Sequence, residues 1–344
     1  MALSVQIQKR LGGFLLEVAF ETDGAPIGLL GASGCGKSVT LNCIAGIMKP
    51  DAGRIELNGR VLFDSERRID LPPQKRNIGY LFQQYALFPN MTVEQNILAG
   101  VRTGTRSEKR AAAKAAIRTF RLEGAERQYP HTLSGGQQQR AALARILVGR
   151  PEALLLDEPF SSLDSFLKWQ LAWELIEYLK PYAGDVVFVS HDRDEVRRLC
   201  ETVCVLDNGR SEPRQRMQTL LNEPGSIAAA RLAGCRNIGA AVKGEDGTAL
   251  CPVWNVELRI PATDEPFAAV GLPEQKLHPA REGEPNAFDC RVLGTAVEAM
   301  HMTVLLRPYG AASNVLLCMR ASEPIETGRV LAVAIAPEDV LPLR

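Results

Sequence analysis

One octapeptide constrains this chain more than any other stretch of its sequence. Gly31-Ala32-Ser33-Gly34-Cys35-Gly36-Lys37-Ser38 has the spacing G-x-x-x-x-G-K-[ST]. It follows an apolar run at residues 27–30 and opens a helix-like stretch at 37–48, which Pro50 and Gly53 close. A strand, a glycine-rich turn and a helix in that order aim backbone N–H groups and the positive end of a helix at one small volume. The glycines let the backbone wrap closely around phosphate. Lys37 can reach the outer phosphates of a nucleotide, and Ser38 can bind Mg2+. The expected cradle runs from Gly31, Ala32, Ser33, Gly34, Cys35, Gly36, Lys37 and Ser38 to Val39.

Around this loop the chain alternates strands and helices. Residues 5–20 read as two short strands, and 54–63 as a strand pair around the Asn58-Gly59 turn. Residues 93–150 turn rich in Ala, Arg, Lys and Leu at helical spacing and read as a helical insertion. A buried strand at 153–156, a helix at 166–179 and another buried strand at 185–189 follow, the alternation of a parallel α/β sheet. Past Glu223-Pro224-Gly225-Ser226 the composition shifts. Short β-branched runs at 287–293, 302–306, 314–319 and 330–335 suggest a small barrel. A length of 344 residues suits two domains, which the sequence places at 1–228 and 229–344.

Composition excludes more than it identifies. Lys plus Arg equals Asp plus Glu, 40 against 40, so the basic excess of a general nucleic-acid binder is missing. No apolar run reaches the roughly 20 residues of a membrane-spanning helix, and residues 1–10 lack the apolar core of a secretory signal. The eight cysteines are dispersed and read as buried small hydrophobes of a reducing cytosol.

Ala153-Leu154-Leu155-Leu156-Asp157-Glu158 is an apolar strand ending in two acids. A buried strand delivers such acids to its C-terminal edge, where open α/β sheets bind ligands. Asp157 suits Mg2+, directly or through water. Glu158 suits the general base that aligns or deprotonates an attacking water. Leu133-Ser134-Gly135-Gly136-Gln137-Gln138-Gln139-Arg140 presents a second helix start with free glycine N–H groups.

With that last segment the chain resembles the ABC ATPases, over about residues 1–225. Ser134, Gly135 and Gly136 match the family's signature. Phe82-Gln83-Gln84-Tyr85 resembles the Q-loop, which gives Gln83 contact with Mg2+ and the attacking water. Ser161-Ser162-Leu163-Asp164 resembles the D-loop, and Val189-Ser190-His191-Asp192 the switch, with His191 on the γ-phosphate. Phe14 stands where the family often keeps an aromatic that stacks on adenine, and a core phenylalanine fits the position equally. The resemblance implies an α/β P-loop NTPase core with a helical subdomain at about 93–150, followed by a small all-β, OB-like barrel. It implies ATP and Mg2+ as ligands and a head-to-tail homodimer, with the P-loop of one copy facing the signature of the other.

It further implies an importer. Exporters usually carry their membrane domain on the same chain. Tyr85-Ala86-Leu87-Phe88-Pro89 follows the Q-loop, where this family receives a short helix from each of two integral membrane permease subunits. A substrate-binding protein would act indirectly, nucleic acid is not a partner, and the chain would lie peripherally on the cytoplasmic face of the cell membrane. Residues 53–64, Leu71-Pro72-Pro73-Gln74-Lys75-Arg76, Ile78-Gly79-Tyr80 and Gly234-Cys235-Arg236-Asn237-Ile238 are similar to molybdate importer ATPases. Sulfate, tungstate and sugar importers share part of this. In some relatives the C-terminal β domain binds the oxyanion; a dimer-stabilising barrel is the other reading. Soluble ABC ATPases of translation or DNA repair usually carry two cassettes or a long coiled coil, and this chain has neither.

Overall fold

Alternation of apolar residues builds the first hairpin, and the rest of the nucleotide-binding unit is laid against it. The computed structural model of the protein describes residues 2–161, 165–297 and 301–344. In chain order the first unit runs β1 (Leu3–Leu11), β2 (Phe14–Glu21), β3 (Ile27–Leu30), α1 (Lys37–Ala45), β4 (Ala52–Leu57), β5 (Arg60–Asp64), β6 (Ile69–Asp70), α2 (Pro73–Arg76), β7 (Ile78–Leu81), α3 (Val93–Gly100), α4 (Arg106–Thr119), α5 (Gly135–Leu147), β8 (Ala153–Asp157), α6 (Ser165–Leu179), β9 (Asp185–Ser190), α7 (Arg193–Leu199), β10 (Thr202–Asp207), β11 (Arg210–Ser211) and β12 (Gln215–Arg216). Leu3, Val5 and Ile7 of β1 and Leu16, Val18 and Phe20 of β2 share one buried face, as a period of two requires. They join Leu41 and Ile44 of α1 and Leu155, Val187 and Val189 in one core.

The sheet is mixed, where the sequence suggested a parallel one. Its order is β6-β5-β4-β1-β2-β11-β10-β3-β9-β8-β7, with β12 on β10. Strands β10, β3, β9, β8 and β7 pair in parallel. The hairpins expected at 5–20 and 54–63 continue the same sheet in antiparallel register. Strands β3, β8 and β9 are buried at every position, the pattern of parallel strands covered on both faces.

The helical stretch resolves into α3, α4 and α5. Each opens with a capping box: Thr92 with Gln95, Thr105 with Glu108, Ser134 with Gln137. Such caps are worth about 1 kcal/mol each. Helix α1 stops at Ala45, short of the expected 48, because Gly46 takes the left-handed conformation at φ 79°. Arg76 closes that end. It is fully buried, and its Nη1 donates to the carbonyls of Cys43 and Ile44 at 2.8 Å each. Its Nε donates to Leu71 O at 2.7 Å and its Nη2 to Asp70 Oδ1 at 3.0 Å.

The two compact units are Met1–Met217 and Gln218–Arg344, so the division falls before the expected residue 228. The reason is the helix Ile227–Ala233. Its Ala230 packs on Cys235, Ala269 and Leu343, and Ile227 N–H donates to Arg344 O at 3.1 Å. The second unit is β-rich, with three antiparallel sheets. The largest orders its strands as His278–Pro279, Val330–Ala334, Phe288–Val297, Met302–Pro308 and Leu317–Ala321. Side chains from all three meet around the buried Trp254. This is the small all-β, OB-like domain that the sequence implies. Seven of the eight cysteines are buried, Cys318 partly, and all are free.

A surface pair in this unit makes its stability depend on pH. His278 Nε2 meets Glu284 Oε1 at 2.6 Å, and Nδ1 meets Lys276 O at 3.0 Å. The Glu284 bond, followed by the Lys276 carbonyl, holds the imidazole pKa above its ordinary value. A raised histidine pKa means stabilisation present in full below about pH 6.5 and lost as pH rises through the folded-state value. Thermal melting of the chain is expected to show this loss between acidic and alkaline buffer, and His278→Gln to flatten it.

Candidate functional site

The C-terminal ends of three neighbouring parallel strands carry the reactive groups. β3 leads into the octapeptide, β8 ends in Asp157 before Glu158, and β9 ends in Ser190 before His191. Their neighbours in the sheet are fixed by register, Leu30 against Ser190 and Asp157 against Val189. Residues remote in sequence therefore converge at one edge.

In the octapeptide, Gly34 and Gly36 have φ of 81° and 110°. Gly36 is the N-cap of α1 and supplies no side-chain cap, which leaves first-turn N–H groups for an anion. A Cβ on Gly31 would lie 2.3 Å from the carbonyl oxygen of Leu206 and 2.7 Å from Cys35 Sγ. Lys37 is buried and folds over the loop, donating to the carbonyls of Gly31 at 2.8 Å and Ala32 at 2.9 Å. Ser38 Oγ donates to Asp157 Oδ1 at 3.0 Å. Burial raises the Cys35 thiol pKa, so this loop cysteine stays protonated.

Asp157 is buried, and desolvation pushes its pKa up against the pull of the Ser38 and Tyr80 hydrogen bonds. Tyr80 OH donates to its other oxygen at 3.1 Å. Glu158 adopts φ 44°, a left-handed conformation that costs a non-glycine residue of order 1 kcal/mol or more. Its N–H is held by Val189 O at 3.0 Å, and its carbonyl accepts Ser161 Oγ at 3.1 Å. The twist brings its carboxylate to 3.2 Å from His191 Nδ1. Gln83 Nε2 donates to Ser161 Oγ at 3.1 Å.

A cleft is lined by Leu11, Phe14, Ser33, Gly34, Gly36, Lys37, Ser38, Val39, Gln83 and Glu158. Phe14 is half-buried, packs against the main core and also faces this cleft, so both of its sequence readings describe part of its setting. Ser134, Gly135 and Gly136 are elsewhere. Ser134 Oγ accepts the Gln137 N–H at 3.3 Å as the cap of α5, and Gly136 lies against Leu167 and Leu171. None of these three lines the cleft. Ser162, Leu163 and Asp164 fall outside the described residues. Tyr80 and Ser161 are site neighbours whose contacts sequence reasoning did not assign; the signal available was Tyr80 standing three residues before Gln83.

Beyond the cleft, the segment 85–89 turns sharply. Tyr85 and Ala86 both have left-handed φ, of 56° and 48°. Tyr85 is thereby buried, its OH 3.3 Å from Pro159 O, while Phe88 is exposed. The Arg145 guanidinium donates to Ala86 O and Tyr85 O and lies 5.1 Å from the Phe88 ring centre. Buried Asn96 accepts the Phe88 N–H and donates to the carbonyls of Phe88, Met91 and Thr92. Phe88 and Met91 thus stand exposed on a braced loop.

The sequence profile of the family described as "ABC transporter" matches residues 20–161. A molybdenum import ATP-binding protein of Paramagnetospirillum magneticum is 34% identical over 65% of this chain and 61% of its own length. An Fe(3+) ions import ATP-binding protein of Haemophilus influenzae is 36% identical over 67% of this chain and 66% of its own. Both matches thus span less than two thirds of the relative. A spermidine/putrescine import ATP-binding protein of Acidothermus cellulolyticus is 36% identical over 80% of this chain and 72% of its own length. Among solved structures, a dimeric ATP-binding cassette, MJ0796, in a post-hydrolysis state with ADP and Pi, aligns with TM-score 0.53 and 27% identity. That alignment covers 63% of this chain and 99% of that one.

Proposed function

The chain belongs to the ABC transporter ATP-binding family, and from that membership we propose that it hydrolyses ATP to drive import through a membrane partner. One observation carries the reading. A phosphate cradle, a Ser38–Asp157 pair and a Glu158–His191 pair meet at the ends of adjacent parallel strands.

The residues fit ATP with Mg2+. The Gly31 position has no room for a Cβ, and the first turn of α1 carries no side-chain cap that would compete with phosphate. Ser38 and Asp157 form a hard oxygen pair, the donor type that Mg2+ takes together with substrate phosphates. Bound there, Mg2+ would neutralise charge developing on the phosphates. Lys37 exchanges its two loop carbonyls for phosphate oxygens. Gln83, held by Ser161, orients the water, Glu158 takes its proton, and His191 steadies Glu158 and the γ-phosphate end. Phe14 stacks on adenine at the cleft edge. Catalysis of this kind is mostly positioning and charge stabilisation.

Ser134, Gly135 and Gly136 lie off the cleft of their own chain, which supports their acting on the nucleotide of a second copy in a head-to-tail dimer; the family resemblance adds Asp164 to the nucleotide-binding residues. The braced Phe88–Met91 surface serves as the dock for two permease subunits, placing the chain peripherally on the cytoplasmic side. Among the described residues no helix is long and apolar enough to cross a membrane.

Molybdate is the cargo we propose, from the fingerprint at residues 53–80 and 234–238 and the similarity to a molybdenum importer protein. A polyamine cargo has its own support, because the spermidine/putrescine relative matches the broadest share of this chain among those named. Uptake of molybdate, tungstate, sulfate and spermidine by host cells carrying native chain or Glu158→Gln separates them. Selective loss of molybdate uptake supports the first cargo and selective loss of spermidine uptake the second. Unchanged uptake of all four, at normal protein levels, counts against both.

The cradle itself gives a sharp expectation. Gly31→Ala must displace the Leu206 backbone, and is expected to destabilise the chain by about 1–3 kcal/mol. It should also weaken ATP binding by at least about tenfold, a loss of roughly 1.4 kcal/mol. Calorimetric titration with ATP and urea unfolding check the two effects separately.

A further inference from the structure

Behind the reacting groups lies a buried carboxylate to which the mechanism above gives no role. Glu195, in the first turn of α7, is 7% exposed. Its Oε2 accepts a hydrogen bond from Ser190 Oγ at 2.7 Å, and Ser190 Oγ accepts the N–H of Asp192 at 2.9 Å. The residues on either side of His191 are thus tied, through one hydroxyl, to one carboxylate. The other oxygen, Oε1, lies 3.8 Å from Lys168 Nζ on α6. The His191 side chain is 54% exposed and has little packing of its own to fix where it points, yet it meets Glu158 at 3.2 Å.

A buried carboxylate is an expensive way to fill space, since an apolar side chain of similar volume would often stabilise as well or better. Its partners here are specific: the last residue of β9, and through that residue the peptide after His191. We infer that Glu195 is a positioning residue for the switch. Its carboxylate holds Ser190, Ser190 holds Asp192, and the His191 ring is thereby aimed at Glu158. Lys168 extends the tie to α6, so the switch and that helix are linked through one side chain. This rests on the ATPase reading given above.

The test uses the full-length chain, Mg2+ and ATP. Glu195→Gln keeps an acceptor oxygen for Ser190, and Glu195→Ala removes it. Glu195→Ala and Ser190→Ala are each expected to lower kcat by about 10- to 100-fold with KM unchanged, as a misplaced group does. Glu195→Gln should stay within about threefold of wild type, because the tie to Ser190 survives and Lys168, partly exposed and 3.8 Å away, keeps its contact with water. His191→Ala with Glu195→Ala should be no slower than His191→Ala alone, because a residue acting through another is not additive with it. The chain has four histidines, so their ring 1H–15N resonances can be told apart. Glu195→Ala should move the His191 signal and leave the other three in place. Wild-type kcat in Glu195→Ala with an unmoved His191 signal overturns the inference, as does full additivity in the double variant. If the wild-type chain shows no turnover, the functional reading fails and the His191 resonance still decides this one.

Discussion

Glu158→Gln is expected to lower ATP turnover by about 10²–10⁴-fold while ATP stays bound. The change keeps the side chain's shape and one oxygen to face His191 at its present 3.2 Å. It removes the basic oxygen proposed above to take the proton from water. The cradle is untouched, since Lys37, Ser38 and the glycines make no contact that depends on the Glu158 charge. The left-handed backbone at Glu158 is held by Val189 and Ser161, not by the carboxylate, so the fold is expected to keep its stability. Phosphate release and ATP retention on a filter, measured on the same sample, separate lost chemistry from lost binding. Equal loss of both would mean that Glu158 shapes the pocket instead of acting as the base.

Arg76 gives the largest expected effect on stability. Replacing it with methionine keeps bulk but strips the donors from three carbonyls and from Asp70. Leaving a buried acceptor unpaired costs about 1–3 kcal/mol, and losing one side of a buried ion pair about 3–5 kcal/mol. Asp70 is partly exposed and recovers some of this in water, so a total loss of about 3–5 kcal/mol is expected. Because Arg76 seals the far end of the helix that begins in the phosphate cradle, ATP binding should weaken with it. Urea unfolding of Arg76→Met checks the first, and a loss below about 1 kcal/mol would show that water replaces the guanidinium.

The family was legible because its nucleotide-binding motifs have fixed spacing and few residue types. Lys37 must follow a glycine-rich turn and Asp157 must end a buried strand, so both positions stand out in one dimension. The sheet order was not legible. β3 lies between β9 and β10, strands more than 150 residues later, and nothing local to residues 27–30 encodes those neighbours. Arg76 read only as part of a subfamily fingerprint, since two of its acceptors, the carbonyls of Cys43 and Ile44, come from α1, remote in sequence. Tyr85 read as a surface anchor like Phe88; two consecutive left-handed residues turn it inward, a conformation that its residue type does not announce. In the second unit the strand runs were visible, but the core around Trp254 was not, because it draws single residues from three sheets.

The most direct test of the central claim, that ATP is held between two copies, uses Ser134. Aspartate caps a helix about as well as serine, so Ser134→Asp keeps α5 while placing a negative charge where the partner's phosphate would lie. Asparagine caps equally well without the charge. If the account holds, Mg2+-dependent ATP hydrolysis falls by about 10²-fold or more in Ser134→Asp and far less in Ser134→Asn. Because Ser134 does not line the cleft of its own chain, such a loss points to a second copy. Hydrolysis by Ser134→Asp at the wild-type rate would contradict the claim.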